Sequence, residues 1–407
     1  MERLDRPALG LYFSIPFCRS KCTYCNFASG VYPASMHARY VERIVEDLAA
    51  AEAWATRMGV ALPRRVDSIY LGGGTPSLLA PKLIAQLFAA IHQHFSVDAD
   101  AEITVECAPG QLSDRTLAAL VQAGMNRASL GVQSFVDAEA QSSGRHHTRA
   151  IVLDDIARLR AAGVANFNLD LIAGLAGQTS DSWRESLEIL LETGTPHASL
   201  YMLEVDEESR LGRELIAGGK RYHAALVPTD EAIADMYETG CTALNAAGIE
   251  QYEISNFART GAAARHNLRY WQRKPYLGLG LDASSMLVAI PKDEDQGEQP
   301  YVLRSTTTDD LNDYLDQAPA AETGWLSPDR QLEEAWFLGL RLNRGVRFAE
   351  LAAEFGEEKI APARPVLARL VEEGLVAADA LSARLTPQGR LLSNDVFARF
   401  LGLGEED

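Results

Sequence analysis

Three cysteines lie close together near the N-terminus of this chain, in the stretch FCRSKCTYCNF. They are Cys18, Cys22 and Cys25, with the spacing Cys-x3-Cys-x2-Cys. Thiolates bind zinc and iron, and both a tetrahedral zinc ion and a four-iron cluster commonly take four protein ligands. The spacing therefore predicts a metal centre in which one coordination position is left for another ligand.

Three explanations fit this cysteine loop. The first is a zinc site with a remote fourth ligand, although zinc sites usually use Cys-x2-Cys pairs. The second is a chance grouping of buried thiols, which the polar residues between the cysteines disfavour. The third is a [4Fe-4S] cluster held by three thiolates, with one iron free for a substrate or cofactor. The two other cysteines, Cys107 and Cys241, lie in apolar patterns that predict core packing.

The composition limits the functions that such a centre could serve. The 407 residues are 47% hydrophobic and 23% charged, which is typical of a globular protein. The net charge of −18 argues against a nucleic-acid partner, because phosphate binding needs a basic surface. The sequence has neither a signal-peptide pattern nor an apolar run of the ~20 residues needed to span a membrane, so we predict a cytoplasmic protein. In a reducing cytosol, clustered cysteines indicate metal or redox chemistry and not disulfides.

Regular elements must position the cysteines, and the first 250 residues alternate β-type runs with helical stretches. This alternation is typical of βα units that build a parallel sheet. The predicted strands are Leu9–Ile15, Val66–Leu71, Glu102–Glu106, Arg127–Gly131, Asn166–Leu171 and Ala198–Leu203. Six such units predict a partial or full barrel, whose chemistry would lie at the C-terminal ends of the strands.

The chain divides into three predicted parts. Residues 1–250 form the barrel, residues 251–325 form a connecting segment, and residues 326–407 form a smaller C-terminal domain. Three helical stretches and a short hairpin in the last part predict a winged-helix-like α+β unit. Because the chain has a net negative charge, we predict that this unit serves packing or docking and not DNA recognition. We therefore predict an α/β fold, a partial (β/α)6 barrel followed by this domain.

The stretch CRSKCTYC, after a strand that ends in IPF, resembles the radical S-adenosylmethionine (SAM) superfamily. In that superfamily the amino and carboxyl groups of SAM chelate the free iron of a [4Fe-4S] cluster. One electron from the cluster then cleaves SAM to a 5′-deoxyadenosyl radical. The resemblance implies that the missing ligand is the cofactor SAM. It also implies that Tyr24, just before the third cysteine, covers the cluster or contacts the adenine.

Polar residues near the ends of the predicted strands agree with this resemblance. The stretch LGGGTPS places three glycines after the second strand, although a glycine run alone also fits a tight turn. By the resemblance, the backbone of this turn meets the amino group of SAM. The family's pattern of SAM contacts corresponds to Tyr12, Gly74, Thr75, Glu106, Gln133, Arg145 and Asp170. From the residues alone, Arg145 fits a solvated surface arginine equally well.

The resemblance narrows to the coproporphyrinogen-dehydrogenase-like (HemN/HemW) branch. The dehydrogenases of this branch have a fourth cysteine where this chain has Phe27, and an N-terminal extension that this sequence lacks. The heme chaperones of the branch have the motif His-Asn-x-x-Tyr-Trp, which is HNLRYW here, from His266 to Trp271. The resemblance therefore implies a chaperone that carries heme b and delivers it to apo-proteins such as respiratory enzymes. Membrane-bound acceptors would bring this protein to the inner face of the cell membrane.

The role of the HNLRYW motif has two interpretations. By the resemblance, heme binds near the mouth of the barrel with the motif taking part, and His266 is a candidate axial ligand. Alternatively, His266 hydrogen-bonds within a loop while Tyr270 and Trp271 fill the domain interface. Two rival functions would use the same cluster and SAM site. They are the oxidative decarboxylation of coproporphyrinogen III and the radical methylation of a porphyrin ring.

Overall fold

The computed structural model describes residues 7–204, 206–291, 299–316 and 322–403. Six parallel strands form the centre of its main sheet and lie side by side in sequence order. They are β1 (Leu9–Ile15), β2 (Arg65–Gly73), β3 (Ser96–Cys107), β4 (Arg127–Gln133), β5 (Asn166–Ala173) and β6 (His197–Met202). All six predicted strands are confirmed. Strand β3 begins well before the predicted Glu102, because its outer half is mostly exposed and has no apolar pattern.

Helices connect these strands and cover the sheet. They are α1 (Ala34–Met58), α2 (Pro81–His94), α3 (Asp114–Gln122), α4 (Asp137–Ser142), α5 (Arg149–Ala161), α6 (Ser180–Glu192), α7 (Arg210–Ile216) and α8 (Asp230–Ala246). In α1 the buried side chains Val41, Ile44 and Leu48 recur at helical spacing, so one face of the helix packs on the sheet. The helix ends where Gly59 takes the left-handed conformation, at φ 69°.

The segment after residue 250 does more than connect two domains, because its strands lengthen the sheet at both sides. Next to β6 lie β7 (Glu250–Gln251) and β8 (Asn256–Ala258), and helix α9 (Arg265–Trp271) follows. Beside β1 lie β9 (Tyr276–Gly280), β10 (Ser284–Val288), β11 (Val302–Thr306) and β12 (Glu322–Leu326), with helix α10 (Leu311–Leu315) between the last two. Strand β9 runs parallel to β1 and the other added strands run antiparallel to their neighbours. Strands β12 and β7 are the two outer strands in this order, so the barrel is partial, as predicted.

The main hydrophobic core lies between this sheet and the helices around it. Phe13, Leu130 and Phe167 are fully buried there. Cys107 is buried in the same core, and the half-buried Cys241 packs against it. The predicted packing role of these two cysteines is therefore confirmed.

The C-terminal domain has a hydrophobic core of its own. Its elements are α11 (Pro328–Arg341), β13 (Val346–Arg347), α12 (Phe348–Phe355), α13 (Glu357–Ile360), α14 (Ala363–Glu372), β14 (Val376–Ala378), β15 (Ser382–Leu385), α15 (Pro387–Leu391) and α16 (Ser393–Ala398). Trp336 stacks on Phe400 in its core, with ring centroids 5.2 Å apart. Strand β13 pairs with the β14–β15 hairpin, which completes the small sheet of a winged-helix-like unit. Among the described residues, no helix has the length and apolar character needed to cross a membrane.

Candidate functional site

The three cysteines lie on the loop that follows β1, at the C-terminal end of the parallel strands. Backbone hydrogen bonds anchor this loop: the Cys18 N–H donates to the Gly30 carbonyl at 2.8 Å, and the Thr23 N–H donates to the Ser143 carbonyl at 3.0 Å. All three cysteines have free thiols and are half-buried. The loop is therefore fixed by its backbone while its thiols stay available to a ligand.

The thiols are near enough to influence one another. Burial raises the pKa of Cys18, hydrogen bonds with Ser29 and Thr75 lower it, and the charges of Cys25 and Cys22 raise it. Within the described residues, no three His, Cys, Asp or Glu side chains are arranged to hold a metal ion. The cysteine ligands of a four-iron cluster bind different irons, so they stand further apart than the ligands of one ion. Three thiols on one loop fit such a cluster as a donor set.

The glycine turn after β2 packs directly on the cysteine loop. The Gly74 N–H donates to the Ile15 carbonyl and the Thr75 N–H donates to the Phe17 carbonyl, both at 2.8 Å. A Cβ on Gly74 would lie only 2.8 to 2.9 Å from three backbone atoms of this loop. The Thr75 hydroxyl points to the Cys18 thiol, 3.9 Å from Sγ. The turn therefore supports the cysteine loop by a backbone contact that only glycine allows.

Glu106 lies near the end of β3 and is held by the neighbouring strand. The Tyr70 hydroxyl donates to Glu106 Oε1 at 2.8 Å. Burial raises the pKa of Glu106 to about 7; the bonds from Tyr70 and the Gly73 N–H and the charge of Arg145 lower it, and the charge of Asp170 raises it. Such a carboxylate favours a cationic partner, because a nearby positive charge stabilises its ionised form.

Asp170 lies on β5 and faces the barrel interior. The Asn168 side chain donates to Asp170 Oδ1 at 2.7 Å, and the Ser129 hydroxyl donates to Oδ2 at 3.4 Å. Burial raises the pKa of Asp170, while hydrogen bonds from Ser199 and Asn168 lower it. Two half-buried carboxylates, Glu106 and Asp170, therefore face the same end of the barrel.

Gln133 and Arg145 have buried polar atoms without partners. Gln133 ends β4 in a bulge, with φ at 69°, and its Oε1 has no hydrogen-bond partner among the described residues. Arg145 donates from Nη2 to the Tyr24 hydroxyl at 3.1 Å, while its buried Nε has no partner among those residues. Unsatisfied buried atoms and strained backbone are both concentrated at ligand sites. Arg145 is therefore half-buried at the site, and its interpretation as a solvated surface arginine is wrong.

Two tyrosines complete this end of the barrel. Tyr24 packs in a small apolar cluster with Leu203 and Leu211, apart from the main core. Tyr12 is half-buried on β1, and its ring centroid lies 6.1 Å from that of Tyr70. The structure therefore places the three cysteines and the predicted SAM contacts at one end of the barrel, which we call the mouth.

Sequence reasoning missed the side chains that hold these carboxylates. Tyr70 supports Glu106 and Asn168 supports Asp170. Sequence reasoning also missed Tyr201, the last residue but one of β6, whose side chain is 40% exposed. Strand alternation could have revealed such supporting side chains, because residues two apart on a strand face the same side. Asn168 lies two positions before Asp170, and their shared face could have been read from the sequence.

The HNLRYW motif lies at the opposite end of the barrel, which we call the base. It forms helix α9, and Arg269 from this helix donates to the Ala8 carbonyl, just before β1, at 3.0 Å. Arg269 also pairs with Asp67, near the start of β2. The helix therefore lies at the N-terminal ends of the strands, but the His266 ring centroid lies 5.3 Å from that of Tyr70, which is hydrogen-bonded to Glu106. Participation of the motif in heme binding stays a prediction.

His266 is fully buried at the base, with 0% exposure. Its Nδ1 is hydrogen-bonded to the Ser68 hydroxyl at 3.0 Å, and its Nε2 to the Tyr270 hydroxyl at 2.9 Å. Burial and the charge of Arg269 lower the pKa of His266 to about 3, so the ring is neutral. Both ring nitrogens of His266 have partners and the ring is fully buried, which disfavours direct ligation of heme iron, and that ligation stays a prediction. The alternative of an internal hydrogen-bonding role is confirmed, on a helix and not in a loop.

Comparisons with known proteins agree with this geometry. Residues 12–190 match the family model of the radical SAM superfamily, and residues 326–392 match that of the HemN C-terminal domain. The chain is 33% identical over 393 residues to the heme chaperone HemW of Lactococcus lactis, covering 96% of each protein. It is 31% identical over 404 residues to the heme chaperone HemW of Escherichia coli, covering 97% of this chain and 98% of the relative.

A solved structure shows the same fold. The coproporphyrinogen III oxidase HemN of Escherichia coli, described as a radical SAM enzyme, superposes with a TM-score of 0.80 at 22% identity, over 97% of this chain and 90% of its own. Its likeness extends through both the barrel and the C-terminal domain. The full-length relatives show that this chain belongs to the radical SAM superfamily and, within the HemN/HemW branch, to the HemW family.

Proposed function

We propose that this protein is a heme chaperone that binds a [4Fe-4S] cluster, SAM and heme b, and that delivers heme to apo-proteins such as respiratory enzymes. One observation carries the cofactor part: three free thiols share the mouth with Gln133 and Arg145, whose buried polar atoms lack partners among the described residues. The names of the full-length relatives support the heme part.

Each residue of the mouth has a role in this proposal. Cys18, Cys22 and Cys25 would hold the cluster through their sulfur atoms, and the bound cluster would supply an electron for SAM chemistry. Two carboxylates, Glu106 and Asp170, suit the amino and hydroxyl groups of SAM. A guanidinium suits its carboxylate, which is the role of Arg145. The backbone carbonyl groups of the turn from 72 to 75 would accept from the amino group, with Tyr12 and Tyr24 beside them.

Heme would bind on the mouth side of the barrel, away from the base. A flat macrocycle needs exposed apolar surface, and aromatic rings supply it at little entropic cost. Phe27, two positions after the third cysteine, is 62% exposed, and Tyr201 is 40% exposed. The HNLRYW motif would contribute indirectly, by holding the base of the barrel. In this proposal the protein is cytoplasmic, and membrane-bound acceptors would draw it to the inner face of the membrane.

Heme titration of the anaerobically reconstituted protein tests this proposal. We expect one heme to bind and to be transferred to an added apo-protein, with apo-myoglobin as the probe. In parallel, the protein is incubated with coproporphyrinogen III, SAM and a reductant, because the fold likeness to HemN does not separate the two activities. Stoichiometric heme transfer without turnover supports the chaperone. Formation of protoporphyrinogen over multiple turnovers, without heme transfer, would replace it with the enzyme.

A further inference from the structure

We propose that Arg341 and Glu253 are positioning residues for Asp170, so that the C-terminal domain is coupled to the SAM site. The coupling would run through buried polar side chains, which we call the polar relay: Arg341, Glu253, Asn256, Ser199, Asn168 and Asp170. This inference rests on the proposed SAM site. It goes beyond that site because Arg341 belongs to α11, in the C-terminal domain.

The outer end of the polar relay lies at the interface between the two domains. The Arg341 guanidinium lies over the Trp271 ring, 4.2 Å from its centroid. Its Nε is 2.8 Å from Glu253 Oε2, an ion pair that is not aligned as a hydrogen bond. Glu253 is 0% exposed. A fully buried carboxylate is costly without a counter-charge, and Arg341 supplies it from the other domain.

The middle of the polar relay crosses from β8 to β6. Glu253 accepts a hydrogen bond at Oε1 from the Asn256 side chain. The amide oxygen of Asn256 in turn accepts from the Ser199 hydroxyl at 2.8 Å. Asn256 and Ser199 are both buried, so water cannot replace either bond. The orientation of the Asn256 amide therefore depends on the carboxylate of Glu253.

The inner end of the polar relay reaches Asp170. Ser199 Oγ lies 3.1 Å from the Asn168 amide oxygen as well, and Asn168 donates from its amide nitrogen to Asp170 Oδ1 at 2.7 Å. The Ser199 hydroxyl also lowers the pKa of Asp170. A hydroxyl has one proton, so Asn256, Asn168 and Asp170 compete for it. A change at Glu253 that rotates the Asn256 amide therefore alters whether the Ser199 hydroxyl donates its proton to Asn168 and Asp170.

A second arginine joins the two domains without touching the polar relay. Arg273, just after α9, pairs with Glu354 of α12 at 2.6 Å, and its Cζ lies 5.3 Å from the centre of the Phe355 ring. Arg273 therefore matches Arg341 in type of contact, an ion pair plus a cation–π contact. Its substitution loosens the same interface and leaves the relay intact.

SAM titration of the reconstituted full-length protein tests the coupling. We expect Arg341→Met to raise the Kd for SAM by roughly 2- to 30-fold, the range of known long-range couplings. Arg273→Met should stay within about two-fold of wild type by the same scale. Arg341→Lys keeps the charge and should recover part of the loss. An unchanged Kd for Arg341→Met, or an equal loss for both Met variants, would overturn the inference.

A double-mutant cycle and a measurement on the wild-type protein complete the test. In a Ser199→Ala background, Arg341→Met should cause no further loss of SAM affinity, whereas additive losses contradict the relay. Because coupling is reciprocal, SAM should slow amide hydrogen exchange in residues 251–256 and 328–341 of the wild type, but not in 302–306. The exchange measurement uses only the wild-type protein, so it does not depend on the folding of a variant. Unchanged exchange in residues 251–256 and 328–341 would overturn the coupling. Wild-type protein that binds no SAM would overturn the proposed function, and the inference with it.

Discussion

The two ends of the barrel differ in the groups that they offer to a ligand. At the mouth, Gln133 Oε1 and Arg145 Nε have no partners among the described residues. At the base, both ring nitrogens of His266 are hydrogen-bonded and Arg269 pairs with Asp67, although Trp271 Nε1 also lacks a partner among the described residues. Buried atoms without partners therefore occur at both ends, and the three half-buried free thiols are what distinguishes the mouth. This difference agrees with the proposal that the mouth binds the cluster and SAM while the base holds the barrel together.

The largest expected effect is loss of the cluster at the mouth. Cys22→Ser should abolish the iron content of about four atoms per chain and the broad charge-transfer absorption, because a hydroxyl is a poor ligand for this iron. Iron analysis and visible spectra after anaerobic reconstitution measure it. Cys241→Ser, at a half-buried thiol that packs against the core, is the matched control and should keep the cluster. A wild-type protein that takes up one zinc and no iron would contradict the assignment.

The glycine turn gives the next effect. Gly74→Ala places a Cβ against backbone atoms that cannot move aside, so the cysteine loop must shift. We expect a loss of about 1–3 kcal/mol in the free energy of unfolding and reduced cluster content. Gly324→Ala is the control, because nothing lies within 4 Å of a Cβ at that position. Equal cluster content in both variants would show that the close packing at Gly74 is unimportant.

Asp170→Ala should weaken SAM binding by about 1–3 kcal/mol, because a hydrogen bond to a buried charged group is lost. Calorimetry under argon measures this. Asp67→Asn, its counterpart at the base, removes the partner of Arg269 and should lower the free energy of unfolding while the SAM affinity stays at the wild-type value. Wild-type SAM affinity in the Asp170 variant would remove this residue from the site.

The stability contributed by the base of the barrel should depend on pH. The pKa of His266 is about 3 in the folded protein and about 6.5 in an unfolded chain, so between these values only the unfolded chain binds the proton. The free energy of unfolding should therefore fall as the pH drops from 6.5 toward 3, by up to about 1.4 kcal/mol per pH unit from this group. His266→Gln should remove that part of the slope in denaturant titrations between pH 6 and 4. A slope equal to that of the wild type would contradict the buried neutral histidine.

The smallest effect concerns the pH dependence of SAM binding. With a pKa of about 7, Glu106 gains its charge as the pH rises from 6 to 8, and affinity for a cationic group should rise with it. Tyr70→Phe removes a hydrogen bond that lowers this pKa, so the midpoint of the affinity profile should move to higher pH. Titrations at several pH values measure the midpoint. A midpoint that does not move would show that Glu106 does not control the affinity.

Much of the barrel could be predicted because its central strands are buried on both faces. Their apolar residues recur at alternate positions, as Phe167, Leu169 and Leu171 do on β5, and helical stretches separate the strands, which is why all six were found. The residues of the mouth followed from the rule that barrel chemistry lies at the C-terminal ends of the strands. Tyr70 was missed because a polar side chain inside an apolar run carries no signal until its neighbour Glu106 is placed beside it.

The position of the HNLRYW motif could not be predicted from local patterns. The motif indicates that four side chains act together, but not at which end of the barrel they lie. That depends on β9 pairing with β1, a contact between residues more than 250 positions apart. The burial of Arg145 could not be predicted for a similar reason, because its half-buried position depends on contact with Tyr24 from another loop.

One paired measurement tests the division between mouth and base most directly. SAM affinity and the free energy of unfolding are measured for Gln133→Asn, which tolerates the left-handed backbone but shortens the side chain, and for His266→Gln. We expect the Gln133 variant to lose SAM affinity with near-wild-type stability, and the His266 variant to lose stability with wild-type SAM affinity. A His266 variant that loses ligand affinity at full stability, beside a Gln133 variant that binds SAM normally, would contradict it.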